Sequence, residues 1–300
     1  MSLSAVIRAL RPEQWSKNLF VLAAPVFAYG DRLSAVTRAD FGRTLLAFAG
    51  FCLAASAVYL LNDVLDVEQD RLHPTKRRRP VASGEVPPAL ALTLSVALAV
   101  AGVALGFAVG GEPFRVGWIL IAYMALNVAY GLKLKHIVLL DAFCIATGFL
   151  LRVVAGGAAA RAEISHWLLL CTLFLALFLG LEKRRAEIDL LGESGAEHRR
   201  TLGEYTRGFL DQMVTVLAAC TILCYAMYTV DDQTAAKFGE HNRLVWSVPF
   251  VAFGVGRYMF LVQSGKGGGS PTRVFLGGDL LFLLNSLAWA GVIAAVVATR

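Results

Sequence analysis

Long apolar runs alternate with short polar loops along almost the whole chain. Nine runs approach the roughly 20 residues that an α-helix needs to cross a bilayer, and they fall at 18–30, 43–62, 87–110, 115–133, 138–158, 165–182, 209–230, 243–262 and 277–299. The first run is the weakest, because it is short and contains Pro25. The pattern predicts an all-α, polytopic membrane bundle with nine transmembrane helices.

The charge distribution sets the expected orientation of these helices. Placing the N-terminus in the cytoplasm puts eighteen Lys and Arg residues on that side, against eight on the other side. The positive-inside rule therefore predicts that the N-terminus is cytoplasmic and the C-terminus is outside. The same asymmetry accounts for most of the net charge of +6, so the basic residues indicate membrane topology and not a nucleic-acid partner.

The composition excludes an ordinary soluble protein, because 57% of the residues are hydrophobic and only 17% are charged. Residues 1–300 are predicted to form a single integral-membrane domain, since no soluble segment of domain size interrupts the spans. Residues 1–17 mix apolar and basic side chains, which predicts a helix lying in the membrane interface. The two longest cytoplasmic loops are expected at 63–86 and 183–208.

An aspartate cluster stands at the start of the first of these loops. If the segment stays helical, Asp63, Asp66 and Asp70 project from one face, with Asn62 one turn from Asp66. Mg²⁺ is usually held by one or two protein carboxylates plus substrate phosphates. A basic stretch follows directly, at Arg71, His73, Lys76, Arg77, Arg78 and Arg79, and it favours a metal-bridged phosphorylated ligand. The alternative is a solvated acidic helix end followed by a loop that only sets topology.

Two charged residues fall inside the fifth predicted span. Arg152 is costly in hydrocarbon unless it faces a polar cavity or extends outward, so a functional role is the expectation. Asp141 lies one turn into the same span. It either lines the mouth of the cavity or pairs with a loop lysine.

The aspartate cluster and the basic loop after it resemble the first aspartate-rich motif of the UbiA superfamily of intramembrane prenyltransferases. A closer resemblance is to the branch that transfers phosphoribose to decaprenyl phosphate. It is carried by Arg11-Pro12, Gln14-Trp15, Lys17-Asn18, His73 to Lys76, Gly131 to His136, Arg152 with Gly156-Gly157, Lys183-Arg184, Ala186-Glu187 and Tyr205-Thr206. This resemblance implies a UbiA-type bundle in the bacterial inner membrane, with a cavity that faces the cytoplasm.

The resemblance also implies a reaction. An enzyme of this branch transfers 5-phosphoribose from phosphoribosyl diphosphate (PRPP) to a polyprenyl phosphate, with Mg²⁺ as cofactor, and the product feeds arabinose donors of the cell envelope. The implied catalytic residues are Asp63, Asp66, Asp70, Lys183 and Glu187, and the metal ligands are the three aspartates with Asn62. The oligomeric state does not follow from the sequence.

Substrate contacts are implied for a larger group of residues. Lys76, Arg77 and Arg79 are candidates for the ribose 5-phosphate or the diphosphate, and Lys17, Lys133 and Lys135 are candidates for the lipid phosphate. The other candidates are Asn62, Arg71, His73, Tyr130, Asp141, Arg152, Arg184 and Tyr205. His73 fits a turn equally well.

One segment departs from the ordinary family pattern. Aromatic prenyltransferases resemble one another in a second aspartate-rich motif after the sixth span, whereas this chain has Lys183, Arg184 and Arg185 there, with Glu187 and Asp189 after them. Lys and Arg bind phosphate oxygens directly, so the segment suits more phosphate and less metal. A stop-transfer anchor at the end of a span is the alternative.

Two other functions stay open at this point. A UbiA-type enzyme that joins a prenyl diphosphate to an aromatic acceptor would use the same first motif, but it should need a carboxylate-rich second motif. A secondary transporter of an anionic substrate would also explain Arg152 and the basic loops. Such a transporter should show broken helices near the middle of the membrane.

Overall fold

The computed structural model describes residues 2–28, 37–110, 115–191, 203–232, 234, 243–265 and 279–298. Every regular element in these ranges is helical, which confirms the all-α prediction. The chain begins with α1 (Leu3–Leu10), a 3₁₀ segment (Pro12–Leu22), α2 (Ala23–Ala28), α3 (Arg38–Leu65) and α4 (Val67–Leu72). It continues with α5 (Pro88–Ala108), α6 (Arg115–Leu132), α7 (Leu140–Ala160), α8 (His166–Leu191), α9 (Arg207–Val230), α10 (Val248–Gln263) and α11 (Leu280–Ala298).

Seven helical stretches of the described chain are long and apolar enough to cross a membrane. They are Ala39–Leu65, Pro88–Ala108, Arg115–Leu132, Leu140–Ala160, His166–Asp189, Arg207–Val230 and Arg243–Gln263, and a shorter apolar helix covers Leu280–Val296. Large side chains such as Val100, Trp118, Leu223 and Leu287 are 60–64% exposed, as lipid-facing residues should be. The chain is a multi-pass membrane protein, while the total of nine spans stays a prediction.

The first expected span, 18–30, does not form one long helix where it is described. The 3₁₀ segment runs to Leu22, the six-residue α2 follows, and residues 29 and 30 lie outside the described ranges. Pro25 lacks the backbone N–H that a continuous helix would use. The 3₁₀ segment is instead fastened to α3 by side chains, because Trp15 donates to Ser56 and Asn18 donates to Cys52.

The interfacial helix expected over 1–17 is shorter than predicted. Helix α1 ends at Leu10, because Arg11 takes the left-handed conformation (φ +52°) directly before Pro12. Leu3 and Ile7 are exposed on α1, whereas Ala5 and Ala9 are buried. This division between an apolar exposed face and a packed face agrees with a helix at the membrane surface.

The second expected loop, 183–208, is also corrected by the structure. Residues 183–191 are the last turns of α8, residues 192–202 lie outside the described ranges, and the loop is described again only from residue 203. Lys183, Arg184 and Glu187 therefore occupy fixed helical positions. The sequence places this boundary too early because the apolar run ends before the helix does.

The chain forms two compact units. The first contains the described residues up to 132 together with 151–163, and the second contains 133–150 and the described residues from 164 onward. In the first unit α3 packs along α5 and α6, and a Cβ on Gly102 would lie only 2.9 Å from the carbonyl oxygen of Gly50. In the second unit α9 packs against α8 and α10, and α10 packs against α11.

Candidate active site

The aspartate-rich motif lies where α3 meets α4, in the first unit. Asp63 is in the last turn of α3, Asp70 is in α4, and Asp66 occupies the junction (φ −94°, ψ 7°). Helical hydrogen bonds continue through the junction, from the Asp66 N–H to the Asn62 carbonyl (2.9 Å) and from the Asp70 N–H to the Asp66 carbonyl (2.8 Å). Asp63 and Asp70 are buried, and Asp66 is half-buried. The junction between α3 and α4 therefore interrupts the helical path only slightly, and the side chains of Asp63 and Asp70 still lie on the same side.

Arg79 joins two of these aspartates. Its Nη1 lies 3.2 Å from Asp63 Oδ1 and 2.6 Å from Asp70 Oδ2. Arg79 follows the 3₁₀ turn Lys76–Arg78, and its backbone N–H donates to the Lys76 carbonyl. One guanidinium nitrogen therefore lies between two carboxylates that would otherwise repel each other.

Arg11 is a second partner of Asp63, and sequence reasoning did not select it as a site residue. Its Nη2 donates to Asp63 Oδ1 at 2.5 Å, and its guanidinium lies 5.0 Å from the ring centroid of Tyr59. Ser56 Oγ donates to the Leu10 carbonyl at 2.8 Å, which fixes the chain just before Arg11. The Arg11-Pro12 pair was the available signal, since a residue before proline often ends a helix. We call Arg11, Asp63, Asp70 and Arg79 the Asp63 site.

The Asp63 carboxylate retains one oxygen for a further partner. Oδ1 accepts from both arginines, whereas Oδ2 is buried and has no hydrogen-bond partner in the described chain. A buried carboxylate oxygen without a partner is costly, and carboxylate oxygens are preferred ligands of Mg²⁺. No three His, Cys, Asp or Glu groups among the described residues lie close enough to hold an ion by themselves. The site fits a metal that takes one or two protein carboxylates and further ligands from phosphate.

The basic loop after α4 contains residues in different settings. His73 Nδ1 accepts two backbone N–H groups of the following turn, at 3.2 and 3.3 Å, as the turn interpretation predicts. Arg71 is exposed and donates to Glu68 at 3.3 Å. Lys76 is half-buried and Arg77 is exposed. Arg79, in contrast, donates hydrogen bonds to two of the motif aspartates.

The end of α6 passes close to the aspartate motif. A Cβ on Gly131 would lie 2.8 Å from Asn62 Oδ1, so glycine permits this approach. Tyr130, in the same turn, is half-buried. After the helix, Lys133 is exposed and Lys135 is half-buried in the 3₁₀ turn Leu134–His136.

Arg152 is buried within α7 and is surrounded by polar and aromatic groups of the first unit. Its Nε donates to Asn18 Oδ1 at 2.8 Å, and its Nη2 donates to the Tyr123 hydroxyl at 2.9 Å. The guanidinium also lies 4.7 Å from the Tyr123 ring centroid and 5.8 Å from that of Phe51. The 3₁₀ segment that contributes Asn18 also carries Lys17, which is half-buried. The polar surroundings expected for an intramembrane arginine are thus supplied by the protein.

The second unit contains a buried network at the start of α7. Arg184 Nε donates to Asp141 Oδ2 at 3.1 Å, and Arg184 Nη1 donates to Glu187 Oε2 at 2.7 Å. The Tyr205 hydroxyl donates to Asp141 Oδ1 at 2.9 Å and accepts the Leu139 N–H at 2.7 Å. Burial raises the pKa of Tyr205 to about 12, so this hydroxyl stays a neutral donor. We call Asp141, Arg184, Glu187 and Tyr205 the Arg184 site.

The neighbouring residues of α8 point in different directions. Lys183 is half-exposed, with its Nζ 3.8 Å from Glu187 Oε1. Arg185 is buried, pairs with Asp211 of α9 and lies 3.4 Å from Asp189. In the structure Lys183 and Arg184 share Glu187, whereas Arg185 pairs with Asp189 and Asp211. The sequence suggested instead a common phosphate-binding group or an anchor.

Comparison with known proteins agrees with this fold. Residues 19–192 match the UbiA prenyltransferase family. Decaprenyl-phosphate phosphoribosyltransferase of Mycolicibacterium smegmatis is 37% identical over 98% of this chain and 92% of its own length. The enzyme of the same name from Corynebacterium glutamicum is 38% identical over 97% of this chain and 86% of its own.

A solved structure supports the fold independently. A UbiA homolog from Archaeoglobus fulgidus, bound to GPP and Mg²⁺, superposes with a TM-score of 0.72 at 17% identity, over 98% of this chain and 99% of that chain. At this identity the likeness concerns the fold alone. Since the family match covers more than half of the sequence and the curated relatives cover nearly all of it, the chain belongs to the UbiA prenyltransferase family.

Proposed function

We propose that this membrane protein transfers the 5-phosphoribosyl group of PRPP to a polyprenyl phosphate and releases diphosphate. The bond between C1 of the ribose and the diphosphate oxygen breaks, and the electron pair leaves with the diphosphate. An oxygen of the lipid phosphate forms the new bond to C1. This nucleophile is already anionic, so positioning of the two substrates can supply much of the rate without a strong general base.

The observation that carries this proposal is the unpartnered Asp63 Oδ2 beside two guanidinium groups. Asp63 and Asp70, with Asp66 and Asn62 next to them, are the residues that would hold Mg²⁺. When bound, the ion neutralises negative charge on the departing diphosphate. Arg11 and Arg79 can each exchange a carboxylate for a phosphate oxygen, because a guanidinium binds both in the same geometry.

The choice of donor is supported by the Arg184 site. Both Glu187 oxygens face cations, Oε2 at 2.7 Å from Arg184 and Oε1 at 3.8 Å from Lys183. A carboxylate held in this way is a poorer metal ligand than the paired carboxylates that an aromatic prenyltransferase should need. The half-exposed Lys183 suits a phosphate oxygen instead. PRPP carries one more phosphate than a prenyl diphosphate does.

The remaining parts of the proposal concern location and the acceptor. The excess of Lys and Arg on one side supports a cytoplasmic N-terminus and a C-terminus outside, in a bacterial inner membrane. Lys17, Lys133 and Lys135 are proposed to contact the lipid phosphate. The relatives named decaprenyl-phosphate phosphoribosyltransferase support a product that feeds arabinose donors of the cell envelope.

No specific observation favours either of the two alternative functions, the aromatic prenyltransferase or the transporter. An aromatic prenyltransferase should show a carboxylate-rich second motif, whereas here Glu187 and Asp189 lie against Arg184 and Arg185. A transporter should show broken helices, whereas α3 and α5 to α9 are each continuous over at least 18 residues.

The test is a transfer assay with purified protein in detergent. Radiolabelled PRPP, decaprenyl phosphate and Mg²⁺ should yield a lipid-extractable phosphoribose, and omission of the lipid phosphate should abolish the product. A prenyl diphosphate with 4-hydroxybenzoate should give no product. Prenylation of the aromatic acid without phosphoribose transfer would overturn the proposal.

A further inference from the structure

The Arg184 site holds its arginine from several directions at once. Asp141 is fully buried, and its two oxygens receive different donors, the Tyr205 hydroxyl on Oδ1 and Arg184 Nε on Oδ2. The side chain of Arg184 is only 4% exposed. An arginine with this enclosure is poorly placed to leave its partners for a substrate.

The backbone beside Asp141 is strained in a way that serves this arrangement. Leu139 has φ +66°, a left-handed conformation that is uncommon for a residue other than glycine. Its N–H donates to the Tyr205 hydroxyl at 2.7 Å, which orients that hydroxyl toward Asp141. Strain of this kind persists where the surrounding structure requires it, and it is a reason to look for function.

The network leads outward to a partly exposed pair. Arg184 Nη1 donates to Glu187 Oε2, and Glu187 Oε1 lies near Lys183 Nζ, which is about half exposed. Fixing Arg184 therefore fixes Glu187, and Glu187 limits where the Lys183 ammonium can go. The order of contacts runs from the buried Tyr205 to the exposed Lys183.

We propose that Asp141 and Tyr205 are positioning residues that act through Arg184, setting Glu187 and Lys183 for phosphoribosyl transfer, and that they do not touch the substrate. This inference rests on the proposed function and assigns a role within it. It replaces the substrate-contact role that the sequence resemblance implies for Asp141, Tyr205 and Arg184.

A double-mutant cycle tests the inference, with kcat/KM measured per folded protein for Asp141→Asn, Arg184→Gln and the double variant. If Asp141 acts through Arg184, each single change should lower kcat/KM by a similar factor, on the order of ten- to a hundred-fold, and the double variant should be no worse. Factors that multiply in the double variant would mean an independent role for Asp141 and would overturn the inference.

Tyr205→Phe provides a second cycle in case Asp141→Asn does not fold. It removes one hydroxyl and preserves the ring, and it should lower kcat/KM by about three- to tenfold in the wild-type background and not at all with Arg184→Gln. A loss that is equal in both backgrounds would contradict the inference.

Matched controls come from the same unit. Arg257 and Asp279 form another ion pair, with Nε to Oδ1 at 3.0 Å and Nη2 to Oδ2 at 2.6 Å, and the Tyr225 hydroxyl bonds to Ser247 and Trp289. Asp279→Asn and Tyr225→Phe should lower the thermal stability while leaving kcat/KM per folded protein unchanged. An equal loss of kcat/KM in these controls would mean that Asp141 has only a general structural role, and it would overturn the inference. Absence of phosphoribosyl transfer by the wild-type protein would be a different result, because it removes the proposed function and this inference with it.

Discussion

The Asp63 site and the Arg184 site combine the same chemical groups and use them differently. In the Asp63 site the side chains of Arg11 and Arg79 are 21% and 29% exposed, and one oxygen of the buried Asp63 carboxylate has no partner in the described chain. In the Arg184 site the arginine side chain is 4% exposed, and both Asp141 oxygens receive hydrogen bonds. The first arrangement can exchange partners with a ligand, whereas the second holds its groups in place.

The difference shows that the residue types of a carboxylate–guanidinium pair do not by themselves indicate whether the pair binds a ligand or holds other groups in place. Removing one partner of a buried pair leaves an uncompensated charge, so enclosed pairs resist exchange. A partly exposed arginine exchanges more easily, because water can solvate it while it moves. Exposure and unmet hydrogen bonding separate the two roles here.

The largest expected effect is at the unpartnered carboxylate. Asp63→Asn removes the charge that a metal needs and should lower kcat by about a thousand-fold or more, comparable to the loss of a major electrostatic group. Transfer assays in saturating Mg²⁺ measure this effect. Asp40→Asn is the control, since Asp40 is buried in the same unit but pairs with Thr37 and Arg43. Full activity of the Asp63 variant would remove the metal assignment.

The next effect separates two arginines of one loop. Arg79→Ala should lower kcat/KM for PRPP by about ten- to a hundred-fold, because a charge-assisted hydrogen bond is worth roughly 1.5–3 kcal/mol. Arg77→Ala should change it by less than about threefold, because exposed charges contribute little. Steady-state kinetics at varied PRPP concentration measure both. Equal losses in the two variants would contradict this. They would show that the exposure of an arginine side chain in this loop does not tell a substrate-binding residue from one that only sets the membrane topology.

Lysine substitutions compare the two sites directly. Arg184 uses Nε for Asp141 and Nη1 for Glu187, and a single ammonium cannot span both acceptors. Arg184→Lys should therefore lower kcat/KM by about tenfold, whereas Arg11→Lys, which keeps a charge beside Asp63, should cost only about threefold. A greater loss of kcat/KM in Arg11→Lys than in Arg184→Lys would contradict the view that the enclosed Arg184 site depends more on arginine geometry than the Asp63 site does.

The smallest effect is on the pH dependence of stability. Burial raises the pKa of Tyr205 from 10.0 to about 12, so between these values the unfolded chain binds fewer protons than the folded one. Stability should therefore fall as the pH rises from about 10 to about 12, and Tyr205 should contribute no slope below that window. Thermal unfolding of Tyr205→Phe should show a shallower decline there than the wild type. Parallel curves for the two proteins would contradict this.

Much of the fold followed from the apolar pattern. The spans expected at 87–110, 115–133, 138–158 and 209–230 match α5, α6, α7 and α9 within a few residues. The prediction of a single long helix at 18–30 was wrong over the described part of that run. The length of an apolar run does not indicate side-chain hydrogen bonds such as those of Trp15 and Asn18 to α3. Tertiary contacts decided the conformation of that segment.

The candidate site was predictable where its residues are close in sequence. Asp63 and Asp70 are seven positions apart, and helical geometry brings them together. Arg11 meets Asp63 across 52 positions, and Tyr205 meets Asp141 across 64, so no local pattern could pair them. The sequence supplied the chemistry of these residues, while their pairing depends on how the helices of each unit pack.

The most direct test of the central claim is equilibrium binding of PRPP to the purified protein, with and without Mg²⁺. Wild-type protein and the Asp40→Asn control should bind PRPP in a Mg²⁺-dependent manner, and Asp63→Asn should lose that dependence while it remains folded. Magnesium-dependent binding of wild-type strength in the folded Asp63→Asn variant would contradict the assignment of the Asp63 site.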